Sequence, residues 1–246
     1  MDVLILGCGF TGQRVARRFL ARGARVIAAS RQPERLAGLG VEAVRMEDLP
    51  GRLNAGTLVL HSIPPAGDVE LPRVLGECAS RLVYLSSTGV YGSATVVDEN
   101  TPADPANERF EAERRAAAGP WSTLVLRPAA IYGPGRGIHK RLERGENPNG
   151  ENIVSRIHVD DLAAHVEAGL LSSLTGAYPV ADEEPATARE IAEFLKGPII
   201  GPQAEARPPS NRRVDGSAIR RVLGITLLYP SYRTGIPAAI LAERET

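Results

Sequence analysis

Three stretches of this chain combine residue types and spacings that can do chemistry: GCGFTG (7–12), LSSTGVYG (85–92) and RIHVDDLA (156–163). The first is a GxGxxG pattern that directly follows the apolar run VLIL and precedes a helix-like segment, the setting a dinucleotide-binding loop requires. In that setting Gly7 permits the tight turn, Gly9 lets backbone approach a pyrophosphate, and Gly12 allows close helix–strand packing. Phe10 and Thr11 complete the loop, whose free N–H groups and helix dipole attract the anion. A plain glycine turn is the alternative reading.

The end of the second apolar run speaks to the choice of nucleotide. An NAD-type site places Asp or Glu there to bond the ribose hydroxyls. Here the run ends Ala29, Ser30, Arg31. No carboxylate repels a 2′-phosphate and a guanidinium is available to bind it, so NADP(H) is expected over NAD(H). In an arginine-rich chain Arg31 also reads as a solvated surface residue. Asp48, after the third run, can bond an adenine amine or stand as an exposed loop carboxylate.

These residues need a frame. The runs VLIL, ARVIAAS, VEAVRM, TLVLHS, RLVYLSS, STLVLRP and GAYPVA alternate with helix-like segments. That alternation predicts an α/β fold, a Rossmann-type doubly wound parallel sheet covered on both faces. In QRVARRFLAR, Val15, Ala16, Phe19 and Leu20 share one face while Arg14, Arg17, Arg18 and Arg22 lie largely on the other, with Gly23 placed to end the helix. In DDLAAHVEAGLL, Leu162, Val166 and Leu170 share a face, with Asp160 available as N-cap. Loops concentrate at 132–152 and in the proline-rich last sixty residues. The expected organisation is a core at 1–132, a substrate-side insertion at 133–152, a return to the core at 153–182, and a small irregular lobe at 183–246.

Composition narrows the partners. In 246 residues, Lys+Arg and Asp+Glu number 29 each, which argues against nucleic acid and against a membrane surface. A small-molecule partner is the expectation. Lys140 and Lys196 are the two lysines; the other basic residues are arginine. Cys8 and Cys78 have neither metal nor redox spacing, which fits a reducing cytoplasm. The start MDVLILGCGF lacks a basic leading region and is too short to span a bilayer.

Together with GCGFTG, the stretches LSSTGVYG, LRPAAIYGPGR (126–136) and RIHVDDLA resemble the extended short-chain dehydrogenase/reductases, the NAD(P)-dependent epimerase/dehydratase group. HSIPP (61–65) and VLGITLLYPSYRTGI (222–236) look like an atypical, shorter branch. The resemblance runs over nearly the whole chain and implies that Ser87, three residues before Val90, bonds the substrate's reacting oxygen, with Ser86 and Thr88 beside it. It implies a cofactor contact at Arg127, with the nicotinamide edge passing the residues just after it, and it turns Arg136 towards either the cofactor or the substrate. Tyr91 reads as packing.

The family's acid/base is a tyrosine followed four residues later by lysine, which tunes a phenol otherwise near 10. This chain has no Tyr-x-x-x-Lys. Across NERFEAERR (107–115), with Glu113 at the family's glutamate, Arg109 falls at the lysine and Pro105 at the tyrosine. Arg109 can hold the ribose but cannot relay protons. Thr88, Tyr132 and His158 are the candidate replacements, although His158 reads first as a histidine bonded within the fold. The family's diphosphate-binding arginine falls at Val154, which argues against a nucleotide-diphosphate sugar. Two functions follow: an NADP(H)-dependent oxidoreductase or isomerase on a small carbonyl or alcohol, or an NADP(H)-binding sensor without turnover. Homodimer pairing through helices flanking the sheet is a fold-level analogy.

Overall fold

The structure, a computed structural model, describes residues 1–65, 69–146, 150–195 and 211–245. Lys196, Pro198, Pro202, Pro208 and Pro209 lie outside the described residues. The strands are β1 (Asp2–Leu6), β2 (Arg25–Ala29), β3 (Glu42–Val44), β4 (Thr57–His61), β5 (Ala79–Leu85), β6 (Val96–Val97), β7 (Ser122–Pro128), β8 (Ala130–Tyr132), β9 (Arg156–His158), β10 (Gly176–Val180) and β11 (Arg213–Val214). The α-helices are α1 (Phe10–Ala21), α2 (Leu71–Leu75), α3 (Glu108–Ala117), α4 (Ile138–Glu143), α5 (Val159–Leu171), α6 (Ala188–Phe194), α7 (Ser217–Leu223) and α8 (Tyr232–Arg244).

Each of the seven apolar runs forms one strand of a seven-stranded parallel sheet, ordered β10-β7-β5-β4-β1-β2-β3. The strands are apolar throughout because both faces are covered. Val3 and Ile5 of β1 join a core with α1 and α5, while Leu4 and Leu6 join the opposite core with α2 and α3. The order reverses between β1 and β4, and the crevice at such a reversal is where doubly wound sheets bind ligands. Short ribbons β6–β11 and β8–β9 stand beyond the carboxyl ends of the sheet strands.

Helix α1 buries Val15, Ala16 and Phe19, and Gly23, at φ +73°, follows its end. Its arginines are not all solvated. Arg14 pairs with Asp160 at 2.9 Å and Arg18 with Glu167 at 2.6 Å, tying α1 to α5. Asp160 therefore does not cap α5: His158 does, its Nδ1 accepting the Asp160 N–H at 3.2 Å, because the Asp160 carboxylate is drawn across to Arg14. The proline-rich end is also more regular than its composition suggests. Helix α8 carries Pro237 within it, with Tyr232, Ile236 and Ala239 buried, so packing of one apolar face outweighs the broken backbone bond.

Two rings, one capping α5 and one within it, set an acid limit on stability. Burial holds His158 and His165 down to about 4, and Nε2 of each lacks a hydrogen-bond partner among the described residues. Both are neutral when folded, whereas unfolding restores protonation near 6.5. The unfolded chain binds more protons between these values, so stability is lost as pH falls from 6.5 towards 4. At pH 5 each ring contributes a loss on the order of 2 kcal/mol. Urea unfolding at pH 7.5 and pH 5 measures it: a clear drop that His165→Gln reduces is expected, and equal stability at both pH values contradicts the assignment.

Candidate functional site

The phosphate loop is built as its glycines require. Gly7 has φ +87°, and its N–H bonds the carbonyl of Ala29, which sets the loop beside the end of β2. A Cβ on Gly12 would lie 2.8 Å from the Gly7 carbonyl oxygen and 3.2 Å from Ile5, so only glycine lets α1 start this close to β1. A Cβ on Gly9 would meet nothing, leaving that face of the backbone open. The first helical bond runs from Gln13 N–H to the Gly9 carbonyl, and no side chain caps the helix. The N–H groups of Phe10, Thr11 and Gly12 therefore stand at an uncapped end, as a pyrophosphate needs. Just after β4, Ser62 donates its hydroxyl to the Gly7 carbonyl at 2.6 Å, a support within HSIPP that the sequence pattern did not disclose.

Ser30 and Arg31 follow β2 directly at the same edge. The Ser30 hydroxyl accepts the Gln32 N–H at 3.1 Å, while Arg31 is exposed. Asp48 is exposed too, and its backbone carbonyl accepts from Arg52.

The serine turn forms at the carboxyl end of β5. Ser87 caps the 3-10 turn Thr88–Tyr91, its Oγ accepting the Gly89 N–H at 3.1 Å, which leaves the hydroxyl proton free to donate. A Cβ on Gly89 would lie 3.5 Å from Ser87 Oγ and 3.8 Å from Arg109 Nε, so serine and guanidinium flank one glycine. Asn107 fixes this: it caps α3 through the Arg109 N–H and donates its amide to the Gly89 carbonyl at 3.1 Å. Beneath lies a buried ion pair. Arg127, at the end of β7, grips Glu113 of α3 with two bonds of 3.0 and 2.7 Å and reaches the Tyr91 hydroxyl at 3.3 Å. Arg127 was expected to meet the cofactor; its fork is instead closed by Glu113, because a buried guanidinium requires a carboxylate.

The turn is pinned from the far end of the chain as well. Arg212 donates to the carbonyls of Thr88, Gly92 and Ala94. Asp161 accepts the N–H groups of Leu228 at 2.7 Å and Tyr229 at 3.0 Å. Neither role was visible in sequence, since each joins residues at least 67 positions apart. Between the β6–β11 ribbon and the end of β10 opens a cleft of about 500 Å³ lined by Val96, Asp98, Asp182, Arg213, Asp215 and Arg220.

Two of the three replacements for the missing phenol are spent on structure. Tyr132 is buried, its phenol pushed far above its ordinary value by burial, and its hydroxyl donates to the Ser231 carbonyl at 3.3 Å. A Cβ on Gly235 would collide with it, so Tyr132 is wedged against α8. His158 caps α5, lies between Tyr132 and Tyr229, and is neutral at working pH. Thr88 remains half-buried beside Ser87.

No family model matches the chain. A structure of a conserved protein of unknown function from Silicibacter pomeroyi superposes with a TM-score of 0.78 at 30% identity, covering 100% of this chain and 99% of that one. A protein from Methylobacillus flagellatus assigned as an NAD-dependent epimerase/dehydratase superposes with a TM-score of 0.75 at 26% identity, covering 99% and 98%. The chain belongs to the extended short-chain dehydrogenase/reductase superfamily, in its epimerase/dehydratase group. Among curated relatives, the 3-diazoavenalumate denitrifying reductase of a Streptomyces species is 28% identical over 301 aligned positions, covering 96% of this chain and 99% of the relative. Within the superfamily frame, the phosphate loop, the serine turn and α3 occupy the crevice at the carboxyl ends of β1, β4 and β5.

The Arg127–Glu113 pair yields a stability prediction. Glu113→Ala leaves a buried, unpaired guanidinium and costs about 3–5 kcal/mol. Chemical denaturation measures this, and a loss under about 1 kcal/mol would show that the pair is not what holds α3 to β7.

Proposed function

We propose that this protein is an NADP(H)-dependent reductase of a small molecule whose hydride acceptor requires no proton from a side chain. The observation that carries the reading is the pairing of a complete phosphate loop with the free Ser87 hydroxyl, where no phenol–lysine pair stands and Tyr132 and His158 are committed elsewhere. Bound NADPH would supply the hydride.

The residues divide the remaining work. The Gly7–Gly12 backbone and the uncapped α1 terminus hold the diphosphate, and Arg31 takes the 2′-phosphate. Arg109, held by the Asn107 cap beside Ser87, holds the nicotinamide ribose as a fixed cation. Ser87 donates a hydrogen bond to the substrate atom that gains negative charge. A protein-supplied acid is worth about 10²–10⁴ in rate, so a ketone, whose oxygen must be protonated, is a poor match. A better match is an electrophilic carbon with a departing group: the C–H bond forms, the bond to that group breaks, and the electron pair leaves with it. Dinitrogen leaving a diazo-substituted carbon is such a case, in keeping with the name of the Streptomyces relative. An NADP(H)-binding sensor without turnover is the second reading, favoured by the absent phenol.

Arg31→Ala is expected to weaken NADPH at least tenfold while leaving NADH nearly unchanged, since a bond to a charged group contributes about 1.5–3 kcal/mol. Isothermal titration distinguishes this from equal loss for both nucleotides, which would sink the NADP assignment. NADPH oxidation over aldehydes, ketones and diazo-substituted acids tests turnover. Ser87→Ala should lower kcat/KM roughly 10–100-fold with NADPH affinity intact; an unchanged kcat/KM would remove Ser87 from the chemistry.

A further inference from the structure

The turn after β8 carries an exposed guanidinium with no carboxylate partner among the described residues, that of Arg136. Its surroundings are more tightly specified than a solvated arginine needs. Gly133 and Arg136 exchange two backbone bonds, of 2.9 and 3.0 Å, closing the turn. A Cβ on Gly133 would strike Val159 at 2.6 Å and one on Gly137 would strike Tyr132 at 2.9 Å, so both glycines lie at close contacts.

From behind, Glu243 of α8 locks the turn. Its carboxylate accepts the Gly135 N–H at 2.6 Å, meets His139 Nε2 at 3.2 Å, and pairs with Lys140 at 2.7 Å. Although partial burial opposes it, these partners hold Glu243 down to about 2. The outcome is to aim Arg136 at the phosphate loop: its guanidinium carbon lies 5.3 Å from the ring centroid of Phe10, the first residue of α1.

Two guanidinium groups gather there, and among the described residues only one of them has a carboxylate partner. Arg14 also stands over the Phe10 ring, at 4.4 Å, but it is paired with Asp160 and donates to the Phe10 carbonyl. Arg136 adds an unpaired cation next to the uncapped, positive end of the α1 dipole. Such an arrangement disfavours itself unless an anion completes it.

Resting on the NADP(H) reading above, we propose that Arg136 closes over the cofactor's diphosphate from outside the glycine loop. Glu243 is its positioning residue, coupling the C-terminal helix to cofactor affinity. The guanidinium suits this role because its fork can bond two phosphate oxygens at once.

The experiment is calorimetric titration of the full chain with two fragments of NADP. One, 2′-phospho-ADP-ribose, carries the diphosphate; the other, 2′-AMP, lacks it. Arg136→Ala should weaken 2′-phospho-ADP-ribose at least tenfold and leave 2′-AMP unchanged, with Arg136→Lys recovering part of the loss. Arg31→Ala should weaken both fragments. Glu243→Gln should weaken the diphosphate fragment several-fold, in a variant whose near-ultraviolet circular dichroism matches the parent. Unchanged binding of 2′-phospho-ADP-ribose to Arg136→Ala, or equal loss of both fragments, overturns the assignment of Arg136 while leaving the cofactor reading intact. If the parent chain binds neither fragment, the cofactor reading falls and takes this inference with it.

Discussion

The buried contact between Arg127 and Glu113 is the constraint on which the candidate site depends. Taking two charges out of water costs several kcal/mol per ion, recovered only when geometry is excellent and the remaining donors are satisfied. Here the guanidinium meets the carboxylate with two bonds and gives a third to Tyr91. Three elements converge on it: the end of β7, helix α3, and the turn that follows Ser87. With that knot in place, Ser87 and Arg109 stand on either side of Gly89 without needing each other. Specificity of arrangement is what such a pair supplies here, since a hydrophobic substitute would hold the helix but not aim the turn.

The same solution recurs outward from the crevice. Arg212 holds three carbonyls of the serine turn, Asp161 gathers the N–H groups at 228 and 229, and Glu243 clasps the turn at 135–140. Each anchor comes from, or reaches to, the C-terminal part of the chain. The lobe is therefore attached to the sheet mainly where ligands bind, by polar contacts that also shape the site. Within this frame the missing phenol is not made good by the nearest buried candidates. Tyr132, at the end of β8, is wedged against α8, and His158 caps the start of α5.

Much of the sheet was legible in the sequence, because apolar strands buried on both faces leave unbroken runs and all seven runs became strands. The phosphate loop was legible for a partly local reason: Gly12 answers to contacts with Gly7 and Ile5, whereas Gly7 also packs against Ser62 and Ile63 from beyond β4. What stayed hidden was long-range. Asp160 looked like a helix cap because the competing partner, Arg14, lies 146 positions away. Arg127 looked free for a ligand because its partner on α3 could not be inferred from type or spacing. The end of the chain looked irregular by its prolines, yet α8 forms because its apolar face is buried against Tyr132 and α6. Resemblance supplied the positions of Ser87 and Arg109; that Asn107 ties the two together through Gly89 appeared only in the folded chain.

The central claim is that the crevice between β1 and β4 is a site for NADP(H), tuned by the arginine after β2 and not by a carboxylate. Calorimetric titration of the unmodified protein with NADPH and with NADH, at one ionic strength, tests it most directly. The account predicts saturable binding of both with NADPH tighter by at least tenfold. Tighter binding of NADH would contradict the role given to Ser30 and Arg31, and binding of neither would contradict the account as a whole.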